Sequence, residues 1–233
     1  MATKVKLLRD HKDIRPSLEH LLKNDPYIKK YFTKADIDAI THAHRPCTYD
    51  AFARTIVGQQ ISTKAAASVW ARVEALCSPF SPEGILKLDD QTLRSAGLSG
   101  QKVKYLRGLS QAVVDGSFDP AKLKKMSDAE VIEAITALNG FGRWSAEMVL
   151  MFALVRPDVF SGGDLGLREG IRRVLKLKER PTDKESVRLA ERWAGHRTAA
   201  SLLMWHTYAK EGPIKKPEKT KLKQPVKAKA RKH

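Results

Sequence analysis

Apolar residues along this chain recur at intervals of three and four almost everywhere, and no stretch alternates as a strand would. Val69, Val73 and Leu76 share one face of a helix expected over residues 63–76. Val103, Leu106, Leu109 and Val113 mark another, which Gly116 closes. A helix over residues 48–57 is interrupted by Gly58-Gln59-Gln60. Ser127 and Glu130 form a capping box, the hydroxyl accepting from an amide while the carboxylate reaches back, and the helix it opens turns Val131, Ile132, Ile135 and Leu138 inward. Thr182 and Glu185 repeat the device before Val187, Leu189, Ala190 and Trp193. A last helix runs over residues 198–208, with Leu202 and Trp205 on its buried side. Near the start, Pro16 and Pro26 interrupt the pattern, leaving a short helix around residues 17–23 and another after Pro26. The pattern predicts an all-α fold.

Composition narrows the class. A chain of 233 residues, 42% hydrophobic, can bury a real core. Its formal net charge of +17 points to a polyanion or an anionic surface as partner. Part of that charge lies in residues 213–233, where Lys and Arg alternate with Pro, Ala and Thr, a composition expected to form a flexible basic tail. The tail lacks the apolar face of a membrane-surface helix, and no run approaches the roughly 18 apolar residues of a membrane span. Lys4, Lys6, Arg9 and Asp10 break up the start before a signal peptide could form. Cys47 and Cys77 are the two cysteines, too few for a four-ligand zinc or iron–sulfur site. The expectation is a soluble intracellular protein with reduced thiols, no cofactor, no metal and no membrane partner.

The chemistry concentrates in two segments. In the first, one amphipathic helix ends near Leu138, Gly140 and Gly142 follow, and a new helix begins at once with Arg143 and Trp144. Glycines there permit positive φ and leave backbone amides unobstructed, and amides at a helix start suit phosphate. Helix–GxG–helix in so basic a chain suggests a helix-hairpin-helix that grips one DNA strand, although a tight turn between two helices contains the same glycines.

In the second segment two flexible glycines, Gly162 and Gly163, precede Asp164, which opens a helix carrying Leu165, Leu167, Ile171 and Val174. Asp164 reads locally as an N-cap, which does not exclude catalysis. Cleaving an N-glycosidic bond builds positive charge on the sugar, and a fixed carboxylate near C1′ stabilises that charge and orients a water. An alkylated base is already cationic and leaves with little acid help, so one carboxylate would suffice.

On these residues the chain resembles the helix-hairpin-helix DNA glycosylase superfamily, and within it the DNA-3-methyladenine glycosylase II family. The matching stretches are residues 56–62, 138–144, 158–168 and 190–205. The resemblance makes Asp164 the catalytic carboxylate and places Gly140, Gly142 and Arg143 in the phosphate-gripping hairpin. It sets Trp144, Met148, Leu165 and Trp205 around the pocket for the extruded base. Gln60, with Gln59 and Ile61 beside it, falls where a side chain wedges into the vacated stack, and Arg197 matches a family arginine near the cleft. Plain physics allows quieter roles as well: Trp144 and Trp205 could be core packing, and Gln59-Gln60 a polar helix break.

Three departures bear on the reading. Relatives with lyase activity carry a lysine where Trp144 stands, and an indole cannot form a Schiff base, so simple hydrolysis to an abasic site is expected. Only residues 1–48 precede the Gly-Gln-Gln helix, which suits the family's compact all-helical form. Met148 and Leu165 replace aromatic positions, which bears on substrate breadth. The expected architecture has two helical subdomains with an active-site cleft between them: residues 49–155 with the hairpin, and residues 1–48 joined to 156–212. The expected partner is double-stranded DNA containing alkylated bases such as 3-methyladenine and 7-methylguanine, bound by a monomer with no obligate protein partner. The resemblance implies base excision repair, in the cytoplasm at the nucleoid or in a nucleus. A silent DNA-binding module and a glycosylase for other damaged or mismatched bases are the competing readings.

Overall fold

The computed structural model describes residues 11–212, so the expected basic tail lies outside the described residues. Within them the fold is all-α: helices α1 His11–Asn24, α2 Pro26–Tyr31, α3 Lys34–Ala39, α4 Tyr49–Gly58, α5 Thr63–Glu74, α6 Pro82–Lys87, α7 Asp90–Ser95 and α8 Gly100–Val114 come first. A 3-10 turn at Lys122–Lys125 leads to α9 Asp128–Thr136, α10 Arg143–Phe152, α11 Leu165–Val174 and α12 Asp183–Ala190, then a second 3-10 turn, Glu191–Trp193, and α13 Arg197–Glu211. No strand occurs among the described residues, and no helix there is long and apolar enough to cross a membrane.

Helix starts follow the chemistry read from the sequence. Both expected capping boxes are present, at Ser127/Glu130 and Thr182/Glu185, and a third joins Thr33 to Asp36. Gly116 takes a positive φ of 77° at the end of α8, where a side chain would be strained. The structure departs from the periodicity in three places. α1 runs through Pro16, because Ile14, Leu18 and Leu21 are all buried on one face and offset the lost hydrogen bond. α6 and α7 were not predicted: each is six residues long and buries a single anchor, Ile85 or Leu93, too little to make a period. Val187, among the apolar residues that follow the second capping box, is exposed and lies against Gly162 rather than in a core.

Two hydrophobic clusters form. One gathers α4 to α10 around residues such as Phe52, Ile56, Trp70, Leu106, Ile135 and Leu150. The other joins α1–α3 to α11–α13 around Ile14, Leu18, Ile28, Ile171, Trp193 and Leu203. Buried Asp25 explains why the distant N-terminal helices pack there. Its Oδ1 caps α2 through the amides of Tyr27 and Ile28, while Oδ2 accepts from Trp193 Nε1 at 3.0 Å and Arg192 Nε at 2.9 Å. A buried carboxylate so fully satisfied joins both ends of the chain without a desolvation penalty left unmet. Phe152 and Trp205 pack against both clusters and form the seam between them.

Candidate active site

Asp164 caps α11: its Oδ1 accepts from the Leu167 amide at 2.8 Å. The same oxygen accepts from Trp205 Nε1 at 3.0 Å, and Oδ2 accepts from Trp144 Nε1 at 2.9 Å. Trp144 comes from the first turn of α10 and Trp205 from the middle of α13, so three helices converge on one half-buried carboxylate. Three N–H donors fix its plane while leaving acceptor capacity on an anionic group that needs it.

The loop before Asp164 is stitched down residue by residue. Arg197 holds Asp158 through two 2.7 Å hydrogen bonds. Burial pushes the Asp158 carboxyl up, but the bonds from Arg197 outweigh it and leave the group below the usual carboxylate range. Thr198 Oγ1 donates to Arg156 O and accepts from Val159 N. Ser161 Oγ donates to buried Glu147 Oε2 at 2.5 Å, and Ser186 Oγ donates to Gly162 O at 3.0 Å. The glycines read from sequence as flexible are tightly enclosed at Gly162, where a Cβ would lie 2.5 Å from Val187 Cγ2 and 3.0 Å from Asp183 O. The loop therefore needs glycine for close approach to α12 rather than for motion.

The hairpin between α9 and α10 uses its glycines unequally. Gly140 has a φ of 92°, and a Cβ there would sit 2.5 Å from Tyr105 Cδ2. Gly142 has an ordinary φ of −105° and nothing near a would-be Cβ, and no side chain caps the helix it begins. The first amides of α10 thus open outward beside a bare Cα, which suits the approach of a phosphate. Arg143 is exposed there and is held by Glu147 at 2.9 Å.

The expected wedge residues divide. Gln59 turns inward, donating from Nε2 to Gly140 O at 2.8 Å, so it ties the turn after α4 to the hairpin. Gln60 sits at φ 59° and is exposed, and Ile61 beside it is 40% exposed. Arg197, expected near the cleft, is committed to Asp158.

A cavity of about 430 Å³ opens between α4 and α10, with Phe52, Phe141, Trp144 and Met148 among its lining, together with Arg45 and Arg54. Trp144 touches this cavity and Asp164 alike. Leu165, half exposed, and Trp205 do not line it. Trp205 instead stacks on Phe152, with centroids 5.9 Å apart. Among the described residues no group of three or more His, Cys, Asp and Glu is placed to hold a metal ion. Arg45, Arg54 and Glu147 were missed in the sequence, since only the packing of α4, α10 and the 158–164 loop brings them to the site.

A carboxylate at a helix start, an open hairpin and an aromatic cavity together define a helical DNA-repair architecture, and comparison with known proteins agrees. The family model described as HhH-GPD superfamily base excision DNA repair protein matches residues 53–195. The chain belongs to that superfamily. It is 33% identical over 164 residues to DNA-3-methyladenine glycosylase 1 of Schizosaccharomyces pombe, spanning 68% of this chain and 72% of that protein. A crystal structure of a Bacillus halodurans DNA-3-methyladenine glycosidase superposes with a TM-score of 0.73 at 30% identity, covering 90% of this chain and 95% of that one. The S. pombe 3-methyladenine DNA glycosylase in complex with abasic DNA gives 0.68 at 27% identity, covering 86% and 100%.

Proposed function

We propose that this protein is a monofunctional DNA glycosylase that extrudes alkylated bases, such as 3-methyladenine and 7-methylguanine, and hydrolyses their N-glycosidic bond. The observation that carries this reading is Asp164, held by two indole N–H groups beside an aromatic cavity and close to an open helix-hairpin-helix. Relatives named as 3-methyladenine glycosylases support the substrate class.

In this mechanism the first amides of α10 and the Arg143 guanidinium take phosphates of the damaged strand. Gln60 and Ile61, exposed on a strained turn, fill the space the base leaves. The base enters the cavity against Trp144, whose electron-rich face attracts a cationic purine. The bond from C1′ to the base breaks with both electrons going to the base, so a cationic base departs neutral and the sugar becomes an oxocarbenium-like cation. Asp164 stabilises that cation and orients a water, which adds to C1′ and gives up its proton to the carboxylate. Trp144 offers no amine for a Schiff base, so the product is an abasic site with an intact strand. The protein acts as a monomer wherever the cell's DNA is kept.

The test is release of free methylated bases from DNA treated with a methylating agent, native protein against Asp164→Asn. Release by the native protein that the variant loses while still binding DNA supports the proposal. Binding without release by either protein overturns it in favour of a non-catalytic module or another lesion class, which deaminated and oxidised substrates then separate. Strand cleavage or a borohydride-trapped covalent complex would overturn the monofunctional part alone.

A further inference from the structure

Charge at the mouth of the cavity is one-sided. Its lining includes Arg45 and Arg54 and no carboxylate. Arg143 belongs to the hairpin, and other arginines around the site are committed to acids: Arg156 to Asp128, Arg168 to Asp183 and Arg197 to Asp158. Arg45 and Arg54 are exposed, and no carboxylate of the described residues lies within ion-pairing reach of either guanidinium. Each rests on an aromatic ring instead, Arg45 Cζ lying 5.2 Å from the Phe152 centroid and Arg54 Cζ 5.8 Å from that of Trp70. A guanidinium on a ring keeps its in-plane N–H donors free, the arrangement that recognises phosphate oxygens. Both are carried on fixed backbone, Arg54 within α4 and Arg45 by its amide, which donates to Phe152 O at 2.8 Å. The floor below is apolar, with buried Phe52 and Phe141. An aromatic floor under an unpaired cationic rim suits a nucleotide, its ring below and its anionic backbone above.

We propose that Arg45 and Arg54 form a second phosphate-binding site, distinct from the hairpin, which takes the phosphodiester groups flanking the extruded nucleotide. This rests on the glycosylase reading, since only an extruded nucleotide brings its backbone to the cavity mouth. The site grips the lesion strand after extrusion, whereas the hairpin can hold undamaged duplex as well.

The experiment measures binding of the full chain to two duplexes of one sequence, one undamaged and one containing a stable tetrahydrofuran abasic site, across a salt series. The abasic duplex has the flanking phosphates but no base, so it separates contact with the backbone from contact with a base. Arg45→Gln and Arg54→Gln should each weaken binding to the abasic duplex by roughly threefold to tenfold and lower the slope of log Kd against log salt by about one. Binding to the undamaged duplex should change by less than about twofold. Arg45→Lys and Arg54→Lys should restore most of the salt slope. Unchanged binding to the abasic duplex overturns the site and leaves the arginines to the base or to no ligand. Equal loss on both duplexes also overturns it, as a general electrostatic effect. A native protein that does not prefer the abasic duplex overturns the glycosylase reading along with it.

Discussion

Trp205 Nε1 donates to Asp164 Oδ1 at 3.0 Å, while the Trp205 ring stacks on Phe152 in the seam between the two hydrophobic clusters. The group that fixes the carboxylate is thus itself fixed by both cores. Trp205→Phe keeps the stack and removes one donor. Single-turnover release of 7-methylguanine should fall about tenfold, the worth of one hydrogen bond to a charged group, and the melting temperature should drop by a few degrees because the smaller ring leaves part of the seam unfilled. A rate equal to that of the native protein would show that Asp164 is placed without this bond.

Asp164 has a structural duty that can be separated from its chemical one. Asparagine caps a helix as well as aspartate does, whereas alanine does not. Asp164→Asn keeps the cap on its one oxygen but turns an NH2 towards an indole N–H, so it should lose base release by at least about 100-fold and up to about 1 kcal/mol of stability. Asp164→Ala should lose activity similarly and a further ~1 kcal/mol of stability, read by urea denaturation. Retained release in Asp164→Asn would remove the carboxylate from the mechanism.

Glu147 couples the hairpin to the catalytic loop, accepting from Arg143 on one oxygen and from Ser161 on the other. Glu147→Ala leaves the buried Ser161 hydroxyl without its acceptor and should cost about 1–3 kcal/mol. Ser161→Ala in the same background should recover part of that loss, because it removes the orphaned group. Strictly additive losses in the double variant would argue against the pairing.

Acid should weaken the second core through Glu169. Hydrogen bonds from Arg172, together with those from Arg173 and Arg180, outweigh burial and lower this carboxyl from 4.5 to about 2. A carboxyl lowered in the folded state stabilises above its unfolded pKa, and that stability drains away as pH falls from about 4.5 towards 2. Denaturation from pH 7 to 3 should show Glu169→Gln less stable by on the order of 2 kcal/mol at pH 7, the solvent-facing guanidiniums of Arg172 and Arg180 limiting the value. The gap between the two proteins should narrow as pH falls below about 4.5. A gap that holds constant down to pH 3 would mean that Glu169 does not carry its charge into the fold.

Features written within one turn of chain were legible in the sequence. Asp164 as a cap and the two capping boxes each depend on residues three apart, and the structure keeps them; of the two hairpin glycines, Gly140 takes the positive φ and Gly142 does not. What lay beyond reach depends on contacts between distant helices. Nothing near Trp144 or Trp205 announces that both indoles point at one carboxylate. Gln59 looked like part of a wedge because its partner, Gly140 O, lies 81 residues away. Gly162 looked flexible because Val187, which fills the space beside it, belongs to another helix. Pro16 looked like a break because the burial of Ile14, Leu18 and Leu21 under α13 and its neighbours is a tertiary fact.

The stitching of residues 156–164 has a thermal consequence. Glu147 of α10, Ser186 of α12 and Arg197, Thr198 and Ser201 of α13 all hold this one loop. Segments fray early when few bonds hold them, and this one is tied to three helices at once. It behaves as a tripod: loosening one leg leaves two that still define the apex. On heating, Asp164 should therefore keep its place until the helices themselves let go, so activity and fold should vanish over the same few degrees, with no inactive yet folded species between them.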